Sequence, residues 1–131
     1  MTKIRVLLAD DHPAMVEKVR SVLGEEFEIV GAVADGNQAV DAVLVLDPDV
    51  LVIDISMPVL DGLQATARLQ KANCRAKIIF LTIHEDQDYV AAALHVGASG
   101  YVMKSRLGAD LVPAIRAALQ GRTFVSQTLS S

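Results

Sequence analysis

Three carboxylates, one hydroxyl and one ammonium carry most of the chemistry that this 131-residue chain can offer. Asp10 and Asp11 follow the apolar run Ile4-Arg5-Val6-Leu7-Leu8-Ala9, and Asp54 follows Val50-Leu51-Val52-Ile53. Thr82 follows Ile78-Ile79-Phe80-Leu81, and Lys104 follows Tyr101-Val102-Met103. Each therefore closes a run of strand length. Three carboxylates brought together repel, and at least one would hold a proton near neutrality unless a cation compensates. Mg2+ suits such a hollow, because it takes oxygen ligands octahedrally, uses one or two carboxylates and keeps waters and phosphate oxygens around it. Zinc or copper would want His or Cys, for which the nearby candidates are poor, and calcium would want more oxygen ligands. Lys104 and Thr82 then supply a charged donor and a hydroxyl donor for a phosphoryl oxygen.

Those side chains meet only if the runs are neighbouring strands. Strands are expected at about 4–9, 27–33, 49–53, 77–82 and 99–103, near-continuously apolar and β-branched as in strands covered on both faces. Helical periodicity fills the intervals. Pro13 suits the first turn of a helix reaching Leu23, with Val16, Val19 and Leu23 inward. Asp35 caps a second helix, with Ala39, Val40, Val43 and Leu44 inward and its end before Pro48. Gly62 precedes a third, with Leu63 and Ala67 on its buried side, and Asp86 opens a fourth, with Val90, Ala93, Leu94 and Gly97 on its inner face. A fifth covers about 107–120 with Leu111, Ile115 and Leu119 inward. Pro113 is costly inside a helix, about 3 kcal/mol, so the regular part is expected to start near Asp110. The polar tail from Arg122 to Ser131 is expected to fray.

Alternating strands and helices imply a parallel sheet with right-handed crossovers. Ligands of such sheets bind beyond the carboxyl ends of the strands, where strand order reverses. The order 2-1-3-4-5 would put strand 1 beside strand 3, and Asp10 and Asp11 beside Asp54.

Composition narrows the classes further. The apolar fraction of 52% argues against disorder, and 4% aromatics leave the core to Val, Leu, Ile and Ala. Twelve basic against sixteen acidic residues, with no basic cluster, give no footprint for nucleic acid. Cys74 is the single cysteine, which excludes an internal disulfide and fits a reducing compartment. No charged-then-apolar leader opens the sequence, and Asp41, Asp47, Asp49 and Asp54 break its apolar stretches well short of a membrane span. A soluble cytoplasmic protein without membrane contact is the expectation.

Asp10-Asp11-His12-Pro13, Asp54-Ile55-Ser56-Met57-Pro58 with Asp61-Gly62, Leu81-Thr82, and Gly97-Ala98-Ser99-Gly100-Tyr101 leading to Lys104 resemble a response-regulator receiver domain of two-component signalling. Each motif alone is weak; all of them in order at the right strand ends are highly specific. The resemblance covers about residues 3–121 and is strongest to receivers of LuxR/NarL-type transcription regulators. It implies a flavodoxin-like (βα)5 doubly wound fold, a receiver unit over 1–121, and a tail or linker start over 122–131.

It also implies roles. Asp54 corresponds to the phosphoacceptor that takes a phosphoryl group from a sensor histidine kinase. Asp11 corresponds to the direct Mg2+ ligand, Asp10 to one acting mainly through water, and Ser56 to the residue giving a backbone carbonyl to the metal. Thr82 corresponds to the switch hydroxyl, Lys104 to the phosphoryl-binding lysine, and Tyr101 to the aromatic whose rotamer follows the threonine. Ser56, Ile83 and His84 stand on the rim, where they could tune access; Ile83 is bulkier than the residue many receivers have there. The resemblance further implies homodimerisation on phosphorylation, through the first/fifth-helix or the fourth-helix/fifth-strand face. DNA would be reached only through an output domain, a C-terminal helix-turn-helix absent from this chain. Autophosphatase activity would accompany a protein that is otherwise no enzyme.

Bland readings stand beside these. Asp54 could cap a helix, Lys104 could be a solvated strand end, and Tyr101 could pack with its hydroxyl at the surface. His12 reads as a helix-start residue pointing away from the acids, while His95 and Cys74 carry no functional signal. Among other functions, a stand-alone receiver acting through protein contacts is the runner-up. A Mg2+-dependent aspartyl phosphatase would want a second Asp where Ser56 stands, and a flavin carrier would want a phosphate loop where Asp10 and Asp11 stand. About ten residues after the fifth helix are too few for a DNA-binding domain.

Overall fold

The computed structural model describes residues 3–83 and 87–126. Its strands are β1 (Ile4–Ala9), β2 (Phe27–Val33), β3 (Val50–Asp54), β4 (Lys77–Thr82), β5 (Gly100–Met103) and β6 (Phe124–Val125). Its α-helices are α1 (Pro13–Leu23), α2 (Gly36–Leu46), α3 (Gly62–Lys71), α4 (Gln87–His95) and α5 (Leu107–Leu119). The strands form one parallel sheet in the order β2-β1-β3-β4-β5-β6, so the expected 2-1-3-4-5 order holds and a sixth strand extends it. Asp86, the expected opening of α4, lies outside the described residues, as does the rim residue His84.

The continuous apolar runs resolve into two cores because strand side chains alternate between faces. Leu7, Ala9, Leu51, Ile53, Ile78, Phe80, Tyr101 and Met103 pack into one core, with Ala39 and Val43 of α2, Ala65 and Leu69 of α3, and Val90 and Ala93 of α4. Val6, Leu8, Val50, Val52, Ile79, Leu81 and Val102 point the other way, into Val19 and Leu23 of α1 and Leu107, Leu111, Ala114 and Ile115 of α5. Burying a Leu, Ile or Val side chain this completely contributes about 1.5–3 kcal/mol. Two filled faces therefore hold the carboxyl ends of β1, β3, β4 and β5 side by side.

Several local expectations need correction. Leu44, Leu94 and Leu119 were expected inward but are 55%, 41% and 39% exposed. Each follows a buried residue (Val43, Ala93 and Ala118), and one step along a helix turns a side chain about 100° off a narrow inner stripe. On α3 the buried side chains are Ala65, Thr66 and Leu69, while Leu63 and Ala67 flank the stripe half-buried. Helix α5 begins at Leu107, after a 3-10 turn over Lys104–Arg106, and Pro113 lies within it. Pro113 and Ala109, whose carbonyl loses its helical donor, are both on the solvent side, where water can replace the missing bond.

The tail does not fray at Arg122. Phe124 and Val125 pair in parallel with Gly100 and Tyr101, and the Ser126 N–H donates to the Tyr101 carbonyl at 3.0 Å. The Ser126 hydroxyl donates to Asp110 Oδ2 at 2.7 Å and accepts from the Met103 N–H at 3.0 Å, fully buried. Arg106 holds the same Asp110 carboxylate from the other side at 2.8 Å.

Candidate functional site

Sheet register assembles the site. Ala9 pairs with Ile53, Asp54 with Leu81, and Thr82 with Met103, so Asp10 and Asp54 stand level at the carboxyl ends of β1 and β3, with Thr82 and then Lys104 each one step further along on β4 and after β5. The Asp10 N–H donates to the Val33 carbonyl at 3.0 Å, which fixes the chain just past β1. Asp54 is held by its own turn: its Oδ1 accepts the Ser56 N–H at 3.0 Å, and the Gly62 N–H donates to the Ile55 carbonyl at 2.9 Å. Gly62 is needed there. A Cβ on it would stand 2.6 Å from the Asp54 carbonyl oxygen and 2.9 Å from the Ile55 Cα, so only glycine lets α3 start against this backbone. Asp61 and Gln64 close a reciprocal capping box at the same helix start. Just before that helix start, Val59 sits at φ 70° with a Leu60 N–H to Pro58 carbonyl bond of 2.7 Å, a rare and strained tight turn for a β-branched residue.

The predicted side chains converge. Lys104 Nζ donates to Asp54 Oδ2 at 2.9 Å and lies 3.4 Å from Asp10 Oδ2. The side chains of Asp10 and Asp54 are 5% and 4% exposed, whereas Asp11 opens to solvent at the rim. Burial works against the Lys104 ammonium, but the hydrogen bond to Asp54 and the charges of Asp54 and Asp10 outweigh it and hold its pKa above the ordinary lysine value. Thr82 is buried at the end of β4. Asp54, Ser56, Thr82 and Lys104 line a cavity of about 390 Å3 whose mouth is formed by His12, Ala14, Met15 and the 73%-exposed Ile83. Asp10 and Asp11 line an adjoining hollow with Ala32, Val33, Ala34 and Gln38.

Tyr101 is fully buried and belongs to the core shared with α2, α3 and α4, which excludes a surface position for its hydroxyl. His12 also departs from expectation. It does not point away: its Nδ1 lies 3.1 Å from Asp10 Oδ1, 3.1 Å from Asp11 Oδ1 and 4.0 Å from Asp54 Oδ2. The His12 N–H donates to Asp10 Oδ1 at 2.8 Å, folding the loop back over the acid before Pro13 starts α1. A histidine two residues after the first acid was the available signal, and sequence spacing alone does not give that reversal of the loop.

The donor set fits a hard divalent cation. Among the described residues, Asp10, Asp11 and Asp54 gather beside the Lys104 ammonium, and Asp10 Oδ2, though buried, makes no hydrogen bond; its contact with Lys104 is a long ion pair. A buried carboxylate oxygen without a hydrogen bond is costly, and a cation among Asp10, Asp11 and Asp54 would satisfy it.

The sequence signature of the response regulator receiver domain matches residues 6–116. The chain is 37% identical over 125 residues to the transcriptional regulatory protein DegU of Brevibacillus brevis, covering 94% of this chain and 53% of that protein. It thus spans about half the length of that curated relative. Among solved structures, a LuxR-family two-component response regulator from Aurantimonas sp. SI85-9A1 superposes with a TM-score of 0.92 at 33% identity, covering 98% of this chain and 94% of the other. The structure of two RcsB dimers bound to two parallel DNAs gives a TM-score of 0.88 at 28% identity, covering 98% of this chain and 66% of the RcsB chain. With the acid cluster, the buried threonine and the lysine at the strand ends of a 2-1-3-4-5 sheet, the chain belongs to the response-regulator receiver family, and its relatives are LuxR-type regulators of the NarL and DegU kind.

Proposed function

We propose that this receiver acts in the cytoplasm and accepts a phosphoryl group on Asp54 from the phosphohistidine of a sensor histidine kinase. The observation that carries the reading is the pairing of a buried Asp54 carboxylate with Lys104 at 2.9 Å, beside a surplus of two further acids. An Asp54 oxygen attacks phosphorus in line: its O–P bond forms as the donor's N–P bond breaks, and the electron pair stays on the donor nitrogen. Asp10, Asp11, Asp54 and the Ser56 backbone carbonyl would hold Mg2+, which when bound neutralises charge on the phosphoryl oxygens. Lys104 transfers its hydrogen bond from the carboxylate to a phosphoryl oxygen, and Thr82 donates to another.

The added phosphoryl brings about −1.5 to −2 charges into the pocket. Movement of Thr82 and Lys104 toward it shifts the segment after β4, Tyr101 and the turn after β5, a population shift between two packings. Ser56, Ile83 and His84 tune how quickly water removes the phosphoryl group, the domain's own phosphatase activity. The receiver unit spans 1–121, and β6 docks against it. Output is transcriptional, through dimerisation and a helix-turn-helix domain outside this chain; the relatives' printed descriptions as a transcriptional regulator and as DNA-bound dimers support this.

Incubation with Mg2+ and a small acyl phosphate tests the reading by intact-protein mass. Wild type gains one base-labile phosphoryl group, Asp54→Asn gains none, and Asp11→Ala gains it far more slowly. An adduct at wild-type level in Asp54→Asn overturns the assignment.

A further inference from the structure

One nitrogen joins the carboxylates. Ligand atoms of Asp10, Asp11, His12 and Asp54 lie within 4.8 Å of one another. First-row divalent cations hold nitrogen and oxygen donors at about 2.0–2.2 Å, so neighbouring donors at right angles stand about 3 Å apart and opposite donors about 4.2 Å. The His12 Nδ1 separations of 3.1 Å to Asp10 and Asp11 match the first spacing, and its 4.0 Å to Asp54 matches the second. Independently, the buried Asp10 Oδ2 makes no hydrogen bond among the described residues, its Lys104 contact being an ion pair at 3.4 Å.

We propose that His12 is a nitrogen donor to the cation held by the three carboxylates, and that it makes the site favour first-row transition cations over Mg2+. This rests on the reading of Asp10, Asp11 and Asp54 as a metal site. The imidazole side chain is 65% exposed, so the tautomer with its proton on Nε2 can keep that N–H hydrated and aim the Nδ1 lone pair at the acids. A lone pair 3.1 Å from two carboxylate oxygens is repelled unless a cation lies among them. Imidazole suits the transition ions, whereas Mg2+ keeps to oxygen, so the gain from His12 grows from Mn2+ to Co2+ and is near zero for Mg2+. In the competing arrangement the proton sits on Nδ1 and is donated to Asp10 Oδ1, and no nitrogen reaches the metal.

Electron spin-echo spectroscopy of the 131-residue chain loaded with Mn2+ separates the two. The expected result is nitrogen modulation from a coordinated imidazole in wild type and its disappearance in His12→Ala. Titrations with Co2+ and Mg2+ give the second readout: His12→Ala weakens Co2+ binding by about tenfold or more and Mg2+ binding by less than about twofold. Circular dichroism of His12→Ala, a change at an exposed side chain, confirms that the variant is folded. Mn2+ bound without nitrogen modulation, modulation that persists in His12→Ala, or equal losses for Co2+ and Mg2+ each overturn the proposal while leaving the carboxylate site standing. If wild type binds neither Mn2+ nor Mg2+, the carboxylate site itself fails.

Discussion

The two ends of the sheet both gather acids, and they treat them in opposite ways. At the amino ends of the strands, Asp47 and Asp49 meet Arg5 and Arg75. The Arg5 N–H donates to Asp49 Oδ2 at 2.8 Å, and its guanidinium reaches the Leu46 and Asp47 carbonyls. Arg75 bonds Asp47 Oδ2 at 3.0 Å and Asp49 Oδ1 at 2.9 Å. The Arg75 guanidinium pairs with both carboxylates, the Arg5 guanidinium holds the backbone carbonyls beside them, and the loop from α2 into β3 is locked. At the carboxyl ends, among the described residues, Asp10 and Asp54 share the Lys104 ammonium, Asp11 and His12 stand beside them, and a buried oxygen is left without a hydrogen bond. The same residue types balance one another at one end and leave negative charge in excess at the other. An uncompensated charge that the fold tolerates marks chemistry more reliably than the number of acids does.

Breaking that contrast gives graded effects. The largest is at Lys104. Lys104→Met leaves Asp10 and Asp54 buried against each other and is expected to cost about 3 kcal/mol in urea unfolding without divalent cations. Saturating Mg2+ should return much of that loss, because a ligand bound only to the folded state stabilises it. Asp10→Asn comes next, with the opposite sign: cation-free stability rises by about 1 kcal/mol as repulsion falls, and the stabilising response to Mg2+ shrinks.

The smallest effects belong to the balanced end. Burial works against the Asp49 carboxylate, but the Arg5 N–H and the Arg75 guanidinium outweigh it and hold its pKa below the ordinary 3.8. A depressed carboxylate contributes stability that is fully present above 3.8 and is lost as pH falls through the lower folded value. Asp49→Asn should therefore cost less than about 1 kcal/mol at neutral pH and flatten the acid limb of the stability curve below that point. Neither Asp49→Asn nor Arg75→Ala should alter the response to Mg2+, which thermal melts across a Mg2+ series would check.

Strand positions were readable because β1, β3 and β4 are buried on both faces, which forces unbroken apolar runs. Acids, threonine and lysine that interrupt such runs at their carboxyl ends were readable for the same reason. Strand β6 was not: Phe124 and Val125 are too short a run, and they pair only because β5 offers an open edge and Ser126 finds Asp110 and Met103. Pro113 misled because propensity carries no information about which side of α5 meets water. Leu44, Leu94 and Leu119 misled because hydrophobicity predicts an inner face more widely than these helices bury one. His12 was misjudged because its direction depends on the Asp10 turn, a hydrogen bond two residues long that no periodicity reports.

Chemical trapping reads directly which carboxylate receives phosphorus. Borohydride reduces an acyl phosphate to an alcohol, so a phosphorylated aspartate becomes homoserine and can be located by peptide mass spectrometry. After treatment with acyl phosphate and a divalent cation, homoserine is expected at position 54 alone, and not when the cation is chelated. Homoserine at position 10 or 11, or at 54 regardless of cation, would contradict that expectation.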